Sequence, residues 1–371
     1  MHIPWCLRKC PYCDFNSHES RDSIPEQAYI DALIIDLEQE LPGVWGRTVQ
    51  SIFFGGGTPS LMSAAGMDQL LARIRALIPL APHAEITLEA NPGTAEQQKF
   101  HGFRQSGINR LSIGIQSFND TALTRLGRIH NSTEAKLAFA IARDAGFDNI
   151  NLDLMYGLPQ QDLAGALDDI DQALALQPEH LSHYQLTLEP NTLFHHQPPP
   201  LPNDDTLWDM QQACQQHLAT AGYEHYEISA YARNKRPCQH NLNYWQFGDY
   251  VGIGAGAHGK ISDAFEQHIR RTTKPRQPQT YIDTSRSGTP IATSHIVKRD
   301  EVGLEYLMNT LRLQQGFPVP QFQERSGQTL TLIEKGLQQA EQRGLLQRDI
   351  HHIRTTELGQ RHLDELLTLF M

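Results

Sequence analysis

Short apolar runs alternate with longer amphipathic stretches along most of this chain. The short runs have the composition of buried strands, and turn residues follow each of them. These predicted strands are Ser51–Phe54, Glu85–Leu88, Arg110–Ile113, Asn149–Leu152, His180–Leu188 and Tyr223–Ile228. Between them, apolar residues recur at helical spacing over Glu26–Leu41, Met67–Ile78, Thr133–Ala145, Leu163–Leu176 and Asp204–Ala221. The pattern predicts a regular alternation of strand and helix.

The distances between successive strand ends predict a parallel sheet. The residues that close five strands are 32, 27, 37 and 34 positions apart, near the roughly 30 residues of one strand–helix–strand unit. They are Gly57, Glu89, Gln116, Asp153 and Thr187. With one more strand before Cys6, about six or seven units fit, fewer than the eight of a closed barrel. We expect an α/β fold, a partial and open (β/α)6-type barrel, with its site at the carboxyl ends of the strands.

The alternation stops near residue 232, which predicts a change of architecture. Residues 233–260 are rich in glycine, histidine and aromatic residues and indicate irregular structure, and residues 263–290 indicate a linker. Helical periodicity then returns around one predicted strand pair, over 298–313, 330–343, 346–354 and 356–370. The predicted parts are the barrel over 1–232, the irregular segment and linker over 233–290, and a smaller, mostly helical, winged-helix-like domain over 291–371.

Composition narrows the class of protein. The 371 residues include 31 basic and 42 acidic side chains, and the net charge of −11 argues against a nucleic-acid partner. No apolar run approaches the roughly 18 to 20 residues of a membrane span, and the N-terminus lacks the apolar stretch of a signal peptide, so we expect a cytoplasmic protein. Five cysteines, three of them close together, are a poor disulfide framework for this length and favour metal binding.

Three cysteines within eight residues are the strongest chemical signal. The run Cys6-Leu-Arg-Lys-Cys10-Pro-Tyr-Cys13 is a C-x3-C-x2-C triplet. Three thiolates can ligate three irons of a four-iron, four-sulfur cluster and leave the fourth iron open to another ligand. A zinc site completed by His2 or His18 is the alternative at this spacing.

A glycine run follows a strongly apolar predicted strand. In Gly55-Gly-Gly-Thr-Pro59 the glycines allow a ligand to approach the backbone and expose N–H donors. A tight turn between strand and helix explains such a run equally well when it stands alone. Together with the cysteine triplet, the run favours an iron–sulfur cofactor site.

These motifs resemble those of the radical S-adenosylmethionine superfamily and, more closely, its oxygen-independent coproporphyrinogen dehydrogenase group. The similar runs are His2-Ile-Pro-Trp-Cys6, Cys10-Pro-Tyr-Cys-Asp-Phe15, Gly55-Gly-Gly-Thr-Pro59, Glu89-Ala-Asn-Pro92, Gly114-Ile-Gln-Ser-Phe118 and Asp153-Leu-Met-Tyr-Gly-Leu-Pro159. The resemblance as such covers nearly the whole chain. The resemblance implies a radical S-adenosylmethionine barrel that holds a [4Fe-4S] cluster on Cys6, Cys10 and Cys13.

The resemblance also implies contacts to S-adenosylmethionine. They fall on Tyr12, Gly56, Gly57, Thr58, Glu89, Gln116, Arg128 and Asp153. The N–H groups near Gly56 suit the polar end of this ligand, Glu89 or Asp153 suits its ribose hydroxyls or ammonium group, and Arg128 suits a carboxylate. Taken singly, these residues are explained as well by helix caps, ion pairs or solvated side chains. In such proteins an electron from the reduced cluster cleaves the ligand to methionine and a 5′-deoxyadenosyl radical, chemistry that the cofactor carries.

Two departures separate this chain from the dehydrogenases of that group. The dehydrogenases have a further cysteine two positions after the triplet, where this chain has Phe15, and a long extension before it. We therefore do not expect coproporphyrinogen dehydrogenase activity, which stays the alternative because nearly every other site is shared. The family pattern also has a tyrosine two residues before His2, so we expect part of the first strand and one cofactor contact to be missing.

A second motif indicates heme. The run Cys238-Gln-His240-Asn-Leu-Asn-Tyr244-Trp245 resembles the H-N-x-x-Y-W motif of HemW-type heme chaperones, in which the histidine is associated with heme binding. An imidazole can ligate heme iron while neighbouring aromatic rings stack on the macrocycle. Cys238 is an alternative ligand and His258 a further candidate, and a buried core histidine is the plainer explanation of His240. We assign the glycines of Gly252–Gly259 to tight packing.

The resemblance as a whole implies a heme chaperone linked to porphyrin metabolism. Such a protein binds heme, passes it to an acceptor protein and needs an electron donor for its cluster, whether or not it also turns over as an enzyme. A zinc-stabilised α/β binding protein is the third alternative.

Overall fold

The structure, a computed structural model, describes residues 1–20, 23–93, 97–263 and 265–371. The strands of the first part are His2–Ile3 (β1), Trp5–Cys6 (β2), His18–Glu19 (β3), Val49–Gly56 (β4), Leu80–Ala90 (β5), Arg110–Gln116 (β6), Ile150–Tyr156 (β7), His180–Gln185 (β8), Glu224–Glu227 (β9) and Ala230–Ala232 (β10). Within the described residues, eight of them form one sheet in the order β1-β4-β5-β6-β7-β8-β10-β9. Pairing is parallel from β1 through β8. Six parallel strands in an open sheet confirm the predicted partial barrel.

Helices cross between the parallel strands, as the apolar periodicity predicts. They are Glu26–Glu40 (α1), Ala64–Leu77 (α2), Phe100–Ser106 (α3), Asp120–Arg125 (α4), Ser132–Asp144 (α5), Leu163–Leu176 (α6), Leu193–His196 (α7) and Asp204–Thr220 (α8). The predicted bounds of α6 agree with the structure at both ends, and those of α1, α2, α5 and α8 agree to within three residues. Side-chain caps explain several starts, since Asp162 accepts from the N–H of Gly165 at 2.8 Å and Asn203 accepts from that of Thr206 at 2.9 Å.

The two faces of the barrel strands differ in chemistry, because successive residues point to opposite sides. On β5, Ile86 and Leu88 belong to the main hydrophobic core that packs against the helices. Glu85, Thr87 and Glu89 alternate with them and face the inside of the partial barrel. The interior is therefore polar, and it holds most of the residues discussed below.

Strands β4 to β7 contain most of the predicted runs but extend beyond them by up to five residues at one end. The last two predicted strands differ in other ways. The run predicted over His180–Leu188 ends as a strand at Gln185. The run predicted over Tyr223–Ile228 forms β9, but β9 does not pair with β8, because β10 returns through a short turn and pairs antiparallel with both. The barrel therefore ends in an antiparallel edge.

The segment predicted as irregular structure and linker contains regular elements. They are Gln239–Trp245 (α9), His258–Asp263 (β11), His268–Thr273 (β12), Pro278–Arg286 (α10) and Thr293–Ile296 (β13), with β11, β12 and β13 in one antiparallel sheet. The polar composition of this segment suggests exposure, but several of its polar groups are buried and paired. Lys274 lies between Asp36 and Glu40 of α1, and Tyr281 of α10 donates to Asp36. The segment is thereby packed on the barrel. The three-part division of the chain stays a prediction.

The C-terminal part is mostly helical, as predicted. It contains Val302–Thr310 (α11), Phe317–Pro318 (β14), Val319–Ser326 (α12), Glu334–Gln342 (α13), Leu346–Arg348 (β15), His352–Thr355 (β16), Glu357–Arg361 (α14) and Leu363–Thr368 (α15). The helix predicted over 356–370 is interrupted at His362, and the predicted strand pair is present as β15 and β16. A second hydrophobic core holds this part together. Among the helices of the described chain, none combines the length and apolar character needed to traverse a bilayer.

Candidate functional site

The cysteine loop lies at the carboxyl end of the first strands. It begins at Cys6, at the end of β2, and β3 brings the chain back beside β2 through the parallel pairs Trp5–His18 and Cys6–Glu19. The N–H of Cys13 donates to the carbonyl of Cys10 at 3.2 Å, which turns the loop back on itself. All three thiols are free and half-buried. The sequence therefore folds so that the triplet faces one small region.

The surroundings of the thiols suit a cluster better than a single zinc ion. Thr58 donates to the sulfur of Cys6 at 3.4 Å and Arg128 to that of Cys10 at 3.7 Å, contacts that favour anionic sulfur. The predicted zinc partners are engaged elsewhere, since His2 hydrogen-bonds the carbonyl of Asn16 and His18 that of Arg276.

Burial controls the protonation of the free thiols. Loss of hydration raises the pKa of Cys6 and of Cys13, and the neighbouring thiols raise both further. A cation must therefore displace these protons when the thiols become ligands.

The glycine turn packs directly on the first strand. The N–H of Gly57 donates to Ile3 at 2.7 Å, that of Thr58 to Trp5 at 2.7 Å, and that of Gly56 to the carboxyl of Glu89 at 3.2 Å. A side chain at Gly57 would lie 2.6 Å from the carbonyl oxygen of Trp5, which explains why this position is glycine. The expectation that these N–H groups are exposed differs from the structure, because strand pairing and Glu89 already satisfy them.

Two carboxyl groups point into the barrel, Glu89 near the end of β5 and Asp153 in the middle of β7, not at its end as predicted. Loss of hydration, followed by the nearby charge of Asp153, raises the pKa of Glu89 to about 8. Loss of hydration likewise raises the pKa of Asp153, although Asn151 at 2.7 Å and Ser112 at 3.1 Å donate to its oxygens. A cationic ligand between these carboxyls would favour their ionised forms.

Arg128 connects the cysteine loop with the ends of β5 and β6. Its guanidinium donates to Asn91 at 2.7 Å and to the carbonyl of Gly114 at 2.6 Å, in addition to Cys10. Asn91 in turn donates to Thr58 at 2.9 Å. In the described residues no carboxylate pairs with Arg128, so its predicted partner is a ligand group.

Gln116 and Tyr12 complete the predicted set. Gln116 ends β6 with a left-handed backbone, at a φ of 73°, and its side chain accepts from Tyr184 at 2.9 Å. The ring of Tyr12 lies 6.4 Å from that of Phe194, and burial raises the pKa of its hydroxyl above the ordinary value. The structure thus brings the loop, the glycine turn, Glu89, Gln116, Arg128 and Asp153 to one end of the barrel, and their roles toward a ligand stay predictions.

Sequence reasoning missed four polar residues in this region. They are Asn91, Ser112, Asn151 and Tyr184. Asn91 lies inside the Glu89-Ala-Asn-Pro92 motif, so the sequence could have indicated it. The other three occupy inward positions on strands β6, β7 and β8, where only knowledge of which face is buried distinguishes them.

The second motif lies at the opposite side of the polar interior. His240, at the start of α9, is 8% exposed, and its ring stacks on Phe53 with centroids 4.3 Å apart. Its Nδ1 lies 3.2 Å from Oε1 of Glu85 and 3.1 Å from the sulfur of Cys238. Burial lowers the pKa of His240, whereas hydrogen bonds from His240 and the charge of Arg110 outweigh burial and lower the pKa of Glu85 to about 2. His240 is therefore neutral beside an ionised carboxylate.

Tyr244, Trp245 and His258 border a cavity of about 380 Å³ that reaches the glycine turn at Gly55 and Gly56. We name it the turn cavity. His258 is exposed there, and the indole Nε1 of Trp245 has no hydrogen-bond partner among the described residues. His240 lines a different cavity of about 330 Å³, beside Phe53 and Tyr244, which we name the edge cavity.

Comparisons with known proteins agree with this geometry. Residues 1–173 match the model of the radical SAM superfamily, and residues 297–362 match the HemN C-terminal domain. The chain is 47% identical to heme chaperone HemW of Escherichia coli (strain K12) and 34% identical to that of Bacillus subtilis (strain 168), covering 100% of this chain and 97% and 98% of the relatives. The solved structure of coproporphyrinogen III oxidase (HemN) from Escherichia coli superposes with a TM-score of 0.84 at 22% identity, over 100% of this chain and 88% of that one.

Proposed function

The chain belongs to the HemW family of the radical S-adenosylmethionine superfamily, and from this premise we propose that it is a heme chaperone, which binds heme and transfers it to an acceptor protein. One structural observation supports the proposal independently of the names of the relatives. The turn cavity joins the glycine turn beside the cysteine loop to the aromatic residues Tyr244 and Trp245. A flat apolar ligand in this cavity would lie between the two motifs.

The same barrel end is proposed to hold a [4Fe-4S] cluster and S-adenosylmethionine. Cys6, Cys10 and Cys13 would supply the three thiolates, and the donors from Thr58 and Arg128 fit their charge. Glu89 and Asp153 would face the cationic part of the ligand, and Tyr12, Gln116 and the glycine turn would enclose it. The cluster would supply electrons from an external donor to the bound ligand. We place the protein in the cytoplasm, where reducing conditions keep such thiols available.

His240 is the proposed heme ligand, with His258 as the competing one. In the described conformation both nitrogens of His240 lie within 3.4 Å of Cys238, so this imidazole has to turn away before it reaches iron. His258 is exposed in the turn cavity and needs no such movement.

A titration with hemin tests the proposal. The anaerobic, cluster-loaded protein should develop a shifted Soret band that saturates at about one heme per chain, and His240→Ala should weaken binding by roughly tenfold or more. His258→Ala is the matched comparison, and a loss confined to it would transfer the ligand role to His258. The absence of a shifted Soret band in the unaltered protein would contradict the proposal.

The alternative activity is oxidation of coproporphyrinogen. The turn cavity adjoins the proposed cofactor site, so a porphyrinogen there would be close to the bound S-adenosylmethionine. Anaerobic incubation of the reduced, reconstituted protein with coproporphyrinogen III and S-adenosylmethionine should leave the substrate unchanged. Formation of protoporphyrinogen IX would make the chain a dehydrogenase despite Phe15.

A further inference from the structure

Three side chains of different ligand types meet beneath the barrel interior, away from the cysteine loop. Glu85 comes from β5, and Cys238 and His240 come from the start of α9. Within the described residues they are the group of three metal-binding side chains whose ligand atoms all lie within 4.8 Å of one another. All three are buried, with exposed fractions of 7%, 1% and 8%.

The triangle of ligand atoms has nearly the size of one face of a zinc tetrahedron. Its edges are 3.1 Å from Cys238 Sγ to His240 Nδ1, 3.2 Å from that nitrogen to Glu85 Oε1, and 3.6 Å from that oxygen to the sulfur. Ordinary zinc bond lengths at tetrahedral angles give edges of about 3.4 to 3.6 Å. Outward shifts of a few tenths of an ångström would therefore admit an ion.

We propose that Glu85, Cys238 and His240 form a binding site for a divalent transition-metal ion, distinct from the cluster site and not assigned by the family motifs. Thiolate, imidazole and carboxylate together select zinc, cobalt or ferrous iron over magnesium or calcium. Burial orders the three side chains before the ion arrives, so little conformational entropy is lost on binding.

The neighbouring side chains define the rest of the site. Arg110 lies with its Nε 3.9 Å from the outer oxygen of Glu85 and is 1% exposed. One thiolate and one carboxylate neutralise a divalent ion, and Arg110 then leaves one net positive charge. This favours an anionic fourth ligand, which can enter from the edge cavity that His240 lines.

A purely structural explanation exists and makes the opposite prediction. Oxygen Oε1 of Glu85 accepts from the N–H groups of Gln239 at 3.0 Å and His240 at 3.3 Å, and so caps the start of α9. If capping is the whole role, the three side chains hold protons between them and bind no ion.

The site has a consequence for heme binding. The imidazole of His240 cannot ligate heme iron and the proposed ion at the same time in this position. An ion in the site would hold His240 in its buried conformation and compete with heme. This consequence depends on His240 being the heme ligand, whereas the ion site itself does not.

Metal content of the reconstituted holoprotein is the first test. After incubation with zinc and desalting, the unaltered chain should retain about one zinc beside its cluster iron, and Cys238→Ser should lose that zinc while keeping the iron. Cys214→Ser is the matched control, because Cys214 is also a buried cysteine outside the cluster loop and lies on α8. It should retain the zinc.

Cobalt provides an independent readout of the ligands. In full-length protein with Cys6, Cys10 and Cys13 replaced by alanine, cobalt(II) should give a thiolate-to-metal charge-transfer band. Cys238→Ser should abolish this band, and Glu85→Gln should weaken cobalt binding at least tenfold. Absence of both zinc retention and the cobalt band in protein with unaltered Glu85, Cys238 and His240 would overturn the site. If the ion binds but zinc does not reduce hemin affinity, only the competition fails. A normal hemin titration without any zinc retention would leave the chaperone proposal standing and remove this one.

Discussion

At the residue scale, burial inside the barrel keeps the carboxyl group of Glu89 protonated. Its pKa of about 8 means that the carboxyl keeps its proton at neutral pH, against an ordinary value of 4.5. The unfolded chain releases this proton at a lower pH, so Glu89 costs the folded protein stability increasingly as the pH rises from 4.5 toward 8. A bound cation would reverse that cost.

We therefore expect S-adenosylmethionine affinity to rise with pH. If the ligand requires ionised Glu89, its binding constant should increase by up to roughly tenfold per pH unit below about pH 8 and then level off. Calorimetric titration of the cluster-loaded protein with S-adenosylmethionine between pH 6 and 9 measures this pH dependence of the binding constant. Glu89→Gln has to flatten the profile. An unchanged slope in that variant would assign the dependence to the ligand's own amine.

Residues of the candidate site were predictable where they stand in dense motifs. The cysteines and the glycine turn follow from spacing and resemblance, because few other structures use three cysteines and a glycine run in this order. Arg128 follows from the resemblance alone. Tyr184 and Asn151 were not predictable, since their importance comes from facing inward on strands beside Gln116 and Asp153. The ligand-type contact of Glu85 with His240 joins residues 155 positions apart, which only the folded chain brings together.

At the element scale, side-chain caps explain why the barrel helices begin where they do. Asn131 accepts from the N–H of Glu134 at 3.0 Å, and Glu134 accepts from the N–H of Asn131 at 2.9 Å, which forms a capping box at the start of α5. This reciprocal pair satisfies two N–H groups that would otherwise lack partners in the first turn.

Removal of this cap should destabilise the protein measurably. We expect Asn131→Ala to lower the free energy of unfolding by about 1 kcal/mol and the melting temperature by about 1 to 2 °C. Asn131→Asp is the control, because aspartate accepts the same bond and should stay within about 0.5 kcal/mol of the parent. Equal losses in both variants would mean that the amide group, and not the cap acceptor, matters there.

The sequence predicts the barrel elements better than those after residue 232. Helices α1, α5, α6 and α8 have long amphipathic patterns, because the apolar residues of successive turns pack in the main hydrophobic core. Helix α9 has only seven residues and one buried side chain, His240, so its sequence shows no helical periodicity. Strand β12 is built from polar residues such as Arg270 and Arg271, whose pairing partners Glu40 and Glu305 lie far away in sequence.

At the scale of the whole molecule, one buried ion cluster fastens the segment after β12 to the barrel. Lys274 is fully enclosed and lies 2.5 Å from Asp36 and 2.8 Å from Glu40, both on α1. Removing one partner leaves buried charges without compensation, a change that costs about 3 to 5 kcal/mol in proteins.

Lys274→Ala should therefore lower the stability to denaturant by about 3 to 5 kcal/mol. Lys298→Ala is the matched control, because Lys298 pairs with Glu301 at 2.8 Å on the surface and should change stability by less than about 0.5 kcal/mol. Chemical unfolding followed by circular dichroism compares the two. Similar small effects would show that the 263–290 segment contributes little to the stability of the barrel.

Transfer of heme tests the account of the whole molecule most directly. The heme-loaded, cluster-containing protein is mixed anaerobically with an apo-form of a b-type heme protein, and the Soret spectrum is followed with time. If the protein is a heme chaperone, the band of the loaded protein should be replaced by that of the acceptor, faster than when the same heme is supplied on serum albumin. Retention of the heme, or transfer no faster than from albumin, would contradict a chaperone function.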